Sequence, residues 1–75
     1  MPQLPTLKPT QIITELKKLG FKQLRQKGSH IIMRHPDTKD KVVIPLHVKD
    51  MPKGTLHSIL RQSKVNINEF LKAKG

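Results

Sequence analysis

Glycine, serine and histidine stand together at Gly28-Ser29-His30, with Arg25, Lys27 and Arg34 close by in the chain. An imidazole among fixed cations suits one chemistry in particular, cleavage of a phosphodiester in RNA. The ribose 2′-hydroxyl can attack its own phosphate once a base takes its proton and an acid protonates the leaving oxygen. That chemistry requires no metal. Histidine performs either task near neutral pH. Lysine and arginine would hold the phosphate and stabilise the charge that develops on it. A glycine lets a phosphate backbone approach closely. A plainer reading stands beside this one: Gly28 serves a turn, Ser29 starts a strand, and His30 is an ordinary surface histidine.

Three other histidines occur, at 35, 47 and 57. His47 follows Pro45-Leu46 and is a possible second acid or base, or a phosphate contact; it also fits as a loop residue that shapes the chain. His35 precedes Pro36 in a turn and reads as structural. On a strand, His30 and His35 would point to opposite faces, because side chains alternate. With no cysteine and no tight carboxylate cluster, no metal site and no cofactor are expected. Lys53, His57, Arg61 and Lys64 recur at spacings of four, four and three, so they share one helix face. Such a stripe can track a phosphate backbone or be the solvated side of a basic protein. The remaining lysines, Lys22, Lys39 and Lys41 among them, carry no assigned role beyond charge. No aromatic platform is present for stacking bases.

Length and charge bound the possibilities. The chain has 75 residues, with 15 Lys and Arg against 5 Asp and Glu, for a formal net charge of +10. This is one domain, 1–75, and such a small one buries only about 60% of its unfolded surface. A deep self-contained pocket is not expected, so a substrate would lie across a surface. The charge excess points to a polyanionic partner. No apolar run is long enough to span a membrane and no charged-then-apolar leader is seen, so the expected compartment is the cytoplasm.

The elements that must position these residues follow from periodicity and turn signals. Met1 to Leu7, with two prolines, reads as a loose arm. Pro9 opens a helix in which Ile12, Ile13, Leu16 and Leu19 form the apolar side, with Glu15 among the polar residues opposite. Gly20 ends it in the left-handed cap conformation. Strands are predicted over Phe21 to Gln26, Ser29 to His35 and Lys41 to Pro45, joined by a hairpin turn at Lys27-Gly28 and a turn over His35 to Asp40. Pro45 ends the third strand or marks a sheet edge. Leu56, Ile59 and Leu60 define a second helix over Lys53 to Ser63. A last short helix begins at Asn66, where Asn66 with Glu69 three residues on resembles a capping box and Val65 can pack on Phe70. The fold class is α+β: a three-stranded antiparallel sheet with helices on one face and the other face free. The run Ile31-Ile32-Met33 leaves open which face carries His30.

The order of these pieces resembles a known family, the HicA-type (YcfA-like) toxins, mRNA interferases of bacterial toxin–antitoxin pairs. The resemblance runs through Leu19-Gly20-Phe21, Arg25-Gln26-Lys27-Gly28-Ser29-His30 and Arg34-His35-Pro36-Asp37. It continues in Val43-Ile44-Pro45-Leu46-His47, Lys53-Gly54-Thr55-Leu56, Ile59-Leu60-Arg61-Gln62 and Ile67-Asn68-Glu69-Phe70-Leu71. It implies a double-stranded-RNA-binding-domain-like α-β-β-β-α fold, here with a short C-terminal helix. It implies that His30, in the Gly-Ser-His motif, is catalytic. It also implies a HicB-type antitoxin as a tight partner, alone or in a larger oligomer. Many relatives carry a second histidine directly after the first, where this chain has Ile31.

The expectation is therefore a metal-independent endonuclease acting on mRNA. Its acid–base group is His30, and its phosphate contacts come from Arg25, Lys27, Gly28, Ser29 and Arg34, with Lys53, His57, Arg61 and Lys64 as further candidates. The alternative is a non-catalytic double-stranded-RNA-binding module, since that fold binds duplexes by shape and phosphate contacts.

Overall fold

The computed structural model describes residues 5–74, with side chains described to residue 72. Its elements are α1 (Pro9–Lys18), β1 (Lys22–Lys27), β2 (His30–Arg34), β3 (Lys41–Pro45), α2 (Lys53–Ser63) and α3 (Ile67–Lys74). The strands form one antiparallel sheet in the order β1-β2-β3. This is the expected α+β architecture, in the α-β-β-β-α order with one added helix.

Burial separates the two faces of the sheet. Ile31 and Met33 of β2 and Val42 and Ile44 of β3 are buried, and join one core with Ile12, Leu16, Leu56, Ile59, Leu60 and Phe70 from the helices. Val43, between the two buried β3 residues, is exposed. Side chains alternate along a strand, so the helices cover one face and leave the other open. α2 packs on β3, and α1 lies against both β3 and α3. β1 projects past the helix layer, and all six of its residues are exposed.

Local chemistry explains the boundaries. Gly20 has φ +101°. Its N–H donates to the Lys17 carbonyl while the Phe21 N–H donates to that of Leu16, the paired bonds of a Schellman cap. A Cβ on Gly20 would lie 2.7 Å from His35 Nε2, so glycine is required for conformation and for space. At the start of α3, Asn66 Oδ1 accepts from the Asn68 N–H at 2.7 Å. Phe70 is fully buried and Val65 packs against the same core, as the predicted staple requires.

Four expectations need correction. The first strand starts at Lys22, and Phe21 before it enters the core at 3% exposure. The hairpin loop is Gly28-Ser29, because Lys27 pairs with His30. Glu15 is buried on α1, with Oε1 3.6 Å from Lys18 Nζ and Oε2 without a partner; a helix held between a strand and another helix is covered over more of its circumference than one apolar stripe. Within the expected loose arm, Met1 to Leu4 lie outside the described residues. Leu7, at its end, is buried and its carbonyl accepts from the Met51 N–H at 2.7 Å. The apolar side chain and the backbone bond anchor that end of the arm beside the loop before α2.

Candidate functional site

Pairing in the sheet fixes which side chains stand together. Directly opposed residues of an antiparallel pair share a face. Lys27 pairs with His30, and His30 with Pro45. Arg25 pairs with Ile32, and Ile32 with Val43. Lys22 pairs with Arg34, and Arg34 with Lys41. These three rows form the open face of the sheet. His30 is therefore exposed on the side away from the helices, with Lys27 beside it and Arg25 in the next row.

A bulge makes this alignment possible. The register of β1 shifts between Gln23 and Arg25, so that Leu24 is the extra residue. A bulge interrupts simple alternation. Without it, Lys22 and Arg25, three residues apart, would point to opposite faces. With it, all five cationic strand residues, Lys22, Arg25, Lys27, Arg34 and Lys41, lie on the open face. The strands contain no acidic residue.

The hairpin turn before His30 is built on glycine. Gly28 has φ +58°, which suits the first central position of a two-residue turn that matches strand twist. The Gln26 Nε2 group donates to the Gly28 carbonyl at 3.1 Å. An added Cβ at Gly28 would meet nothing within 4 Å, so open space lies in front of this turn, next to His30.

His47 reaches the same place from the end of β3. The Leu46 N–H donates to the Ser29 carbonyl at 2.6 Å, which carries the β2–β3 pairing one residue beyond Pro45. The His47 ring then lies edge-on to His30, with centroids 5.8 Å apart and planes at 60°. Both histidines are exposed. Two imidazoles thus share one open patch at the hairpin end of the sheet, in the row that Lys27 begins.

The other candidates fall elsewhere. His35 packs edge-on against Phe21 at 5.2 Å, and its Nδ1 accepts from the backbone N–H groups of Asp37 and Thr38. It organises the β2–β3 turn, in keeping with a structural reading. Lys53, His57 and Arg61 are exposed on α2, in the helix layer, with the sheet between that layer and the face of His30. Lys64 lies past the end of α2 in the left-handed conformation, and its ammonium is 3.6 Å from Asp40 Oδ1. It staples the α2 terminus to the β2–β3 turn. A concavity of about 430 Å³ lies near His35, Asp40 and Lys64 and does not include His30.

Two features of the open face escaped the sequence reading. Lys22 and Lys41 looked like scattered surface charges, yet they flank Arg34 directly. The signal was present only as strand pairing. Among the described residues, no group of three or more His, Cys, Asp or Glu side chains converges as a metal site would require.

A family model described as the HicA toxin of bacterial toxin–antitoxin systems matches residues 10–65. The matched span runs from α1 through the end of α2 and includes both histidines of the patch. No curated protein matches the chain.

Proposed function

The chain belongs to the HicA toxin family of bacterial toxin–antitoxin systems, and from that premise we propose that it is an mRNA interferase, cutting RNA with His30 as a proton-transfer group and no metal. Family membership also implies an antitoxin partner.

The observation that carries the reading is the position of His30: exposed, on the cationic face of the sheet, paired with Lys27 and 5.8 Å from the His47 ring. In the proposed reaction one imidazole takes the proton of the ribose 2′-hydroxyl. The 2′-oxygen bonds to phosphorus, the bond from phosphorus to the 5′-oxygen breaks, and the second group protonates that oxygen. The products are a 2′,3′-cyclic phosphate and a 5′-hydroxyl. His30 and His47 are the two candidates for these roles. Lys27 and Arg25 would hold the phosphate and offset the charge that develops on its oxygens.

The test is incubation of pure protein with labelled RNA in EDTA, with His30→Ala in parallel. Products from the parent and almost none from the variant support the reading. Equal cleavage by both ends it. Growth arrest on expression, relieved by His30→Ala, is the matching result in cells.

A HicB-type antitoxin would neutralise the protein by covering the open face. The proposed compartment is the cytoplasm, where mRNA is met, and no helix among the described residues is long and apolar enough to cross a membrane. An antitoxin complex with the His30 ring freely accessible would count against inhibition by coverage. The second reading, a binding module without catalysis, draws on the exposed Lys53, His57 and Arg61 of α2. That stripe could hold RNA without involving His30. A gel shift with no products in the same assay would favour it.

A further inference from the structure

The third row of the open face places three cations side by side across the sheet, Lys22, Arg34 and Lys41. Like charges directly opposite one another destabilise a sheet. The ion pairs Lys18–Glu15 and Lys64–Asp40 lie outside this row. Lysines on edge strands protect a sheet against pairing with other chains, and Lys22 and Lys41 stand on β1 and β3, the two edges. That role does not account for an arginine between them on the central strand. Arg34 is half-buried, and its Nε is buried with no hydrogen-bond partner. A concavity of about 230 Å³ opens beside the row, lined by Lys22, Gln23, Leu24, Arg34, Pro36 and Lys39. Its lining joins the cations Lys22, Arg34 and Lys39 to the apolar side chains of Leu24 and Pro36.

We propose that Lys22, Arg34 and Lys41 form a second phosphate subsite, which holds the RNA backbone at a nucleotide away from the phosphate facing His30. Arg34 lies four residues from His30 along β2, about 13 Å at the usual strand rise. The scissile phosphate cannot touch both places, so the row meets a neighbouring phosphodiester. Arg25, in the middle row, bridges the two. The strand would run along β2 across the open face, with its cut point at the hairpin end. The row then explains its own electrostatic cost: a polyanion relieves the repulsion that the free sheet carries.

The inference rests on RNA as the ligand of this face, and its test separates the two. Affinity is measured by fluorescence anisotropy in the His30→Ala background, which removes cleavage, for labelled RNAs of two to eight nucleotides. Lys22→Gln/Lys41→Gln is compared with the background chain. In the background protein, affinity rises with length and levels off once the strand reaches the row. In the double variant this rise with length shrinks, and the slope of log affinity against log salt falls by about 0.7, the value for one phosphate contact to a single strand. The folded double variant should melt no lower than the background protein, because a like-charge contact has been relieved. Identical length profiles and salt slopes in the two proteins overturn the subsite. So does a lowered melting temperature with unchanged affinity, which would make the lysines structural. Failure of the parent to cut RNA in EDTA would remove the nuclease reading while leaving this length profile informative.

Discussion

The rings of His30 and His47 meet edge-on with centroids 5.8 Å apart, although 16 residues of chain separate them. The contact is made by the sheet: Pro45 pairs with His30, and the Leu46–Ser29 hydrogen bond turns His47 back across the end of β2. Two imidazoles held this close, in the row of Lys27, offer one group to take a proton and one to give it, as the proposed cleavage requires.

If both rings take part, His30→Ala and His47→Ala should each lower RNA cleavage by about 10²–10⁴-fold. The double variant should be little worse than the poorer single one, because groups that act as a unit are not additive. RNA affinity should stay within a few-fold. Single-turnover rates and anisotropy check both statements; a His47→Ala protein with parental rates would leave His30 to act with another group.

Removing Lys27 should weaken RNA binding without regard to sequence. Lys27→Ala is expected to reduce the salt slope of binding by about 0.7, the value for one phosphate contact to a single strand. Arg61→Ala, on the helix layer, should change it less. The reverse order, read from titrations at several salt concentrations, would move the RNA face to α2.

Gly20→Ala should destabilise the fold by roughly 2 kcal/mol or more, since a positive φ is strained for alanine. The new methyl group would also press on the His35 ring, 2.7 Å from its Nε2. Urea unfolding should show the loss as a lower midpoint with an unchanged slope. A midpoint equal to the parent's would mean that His35 can shift freely.

Phe70 is completely buried and brings α3 onto the common core. Phe70→Ala should cost about 3–5 kcal/mol, the usual range for an aromatic removed from a core. Against a typical total of about 5–15 kcal/mol, that loss leaves a small domain near its unfolding threshold. Thermal melts followed by far-ultraviolet circular dichroism would register it; a shift of only a degree or two would show α3 to be peripheral.

Much of the architecture was legible in the residues themselves. α2 was bounded by the spacing of Leu56, Ile59 and Leu60, and β3 by Val42-Val43-Ile44 ahead of Pro45, because side-chain periodicity and a missing N–H act locally. The Gly20 cap and a turn at Gly28 were visible because glycine tolerates positive φ wherever it stands, but that the turn takes Ser29 and leaves Lys27 in the strand depended on pairing. The first strand was read less well. Its alternation placed Phe21 within the strand, whereas Phe21 precedes it and is drawn into the core. Glu15 was misplaced because burial depends on how many neighbours a helix has, which its own stripe does not state.

The candidate site divides in the same way. Residue type and order marked His30 and its cations, since imidazole and ammonium chemistry belongs to the side chain wherever it sits. Which face His30 occupies was decided only by packing: Ile31 and Met33 go under the helices, and His30, Ile32 and Arg34 are left outside. The approach of His47 to His30, and the row of Lys22, Arg34 and Lys41, likewise belong to the tertiary structure. The physical reason is that strand pairing and a bulge at Leu24 set these neighbours, and both depend on contacts between segments distant in the chain.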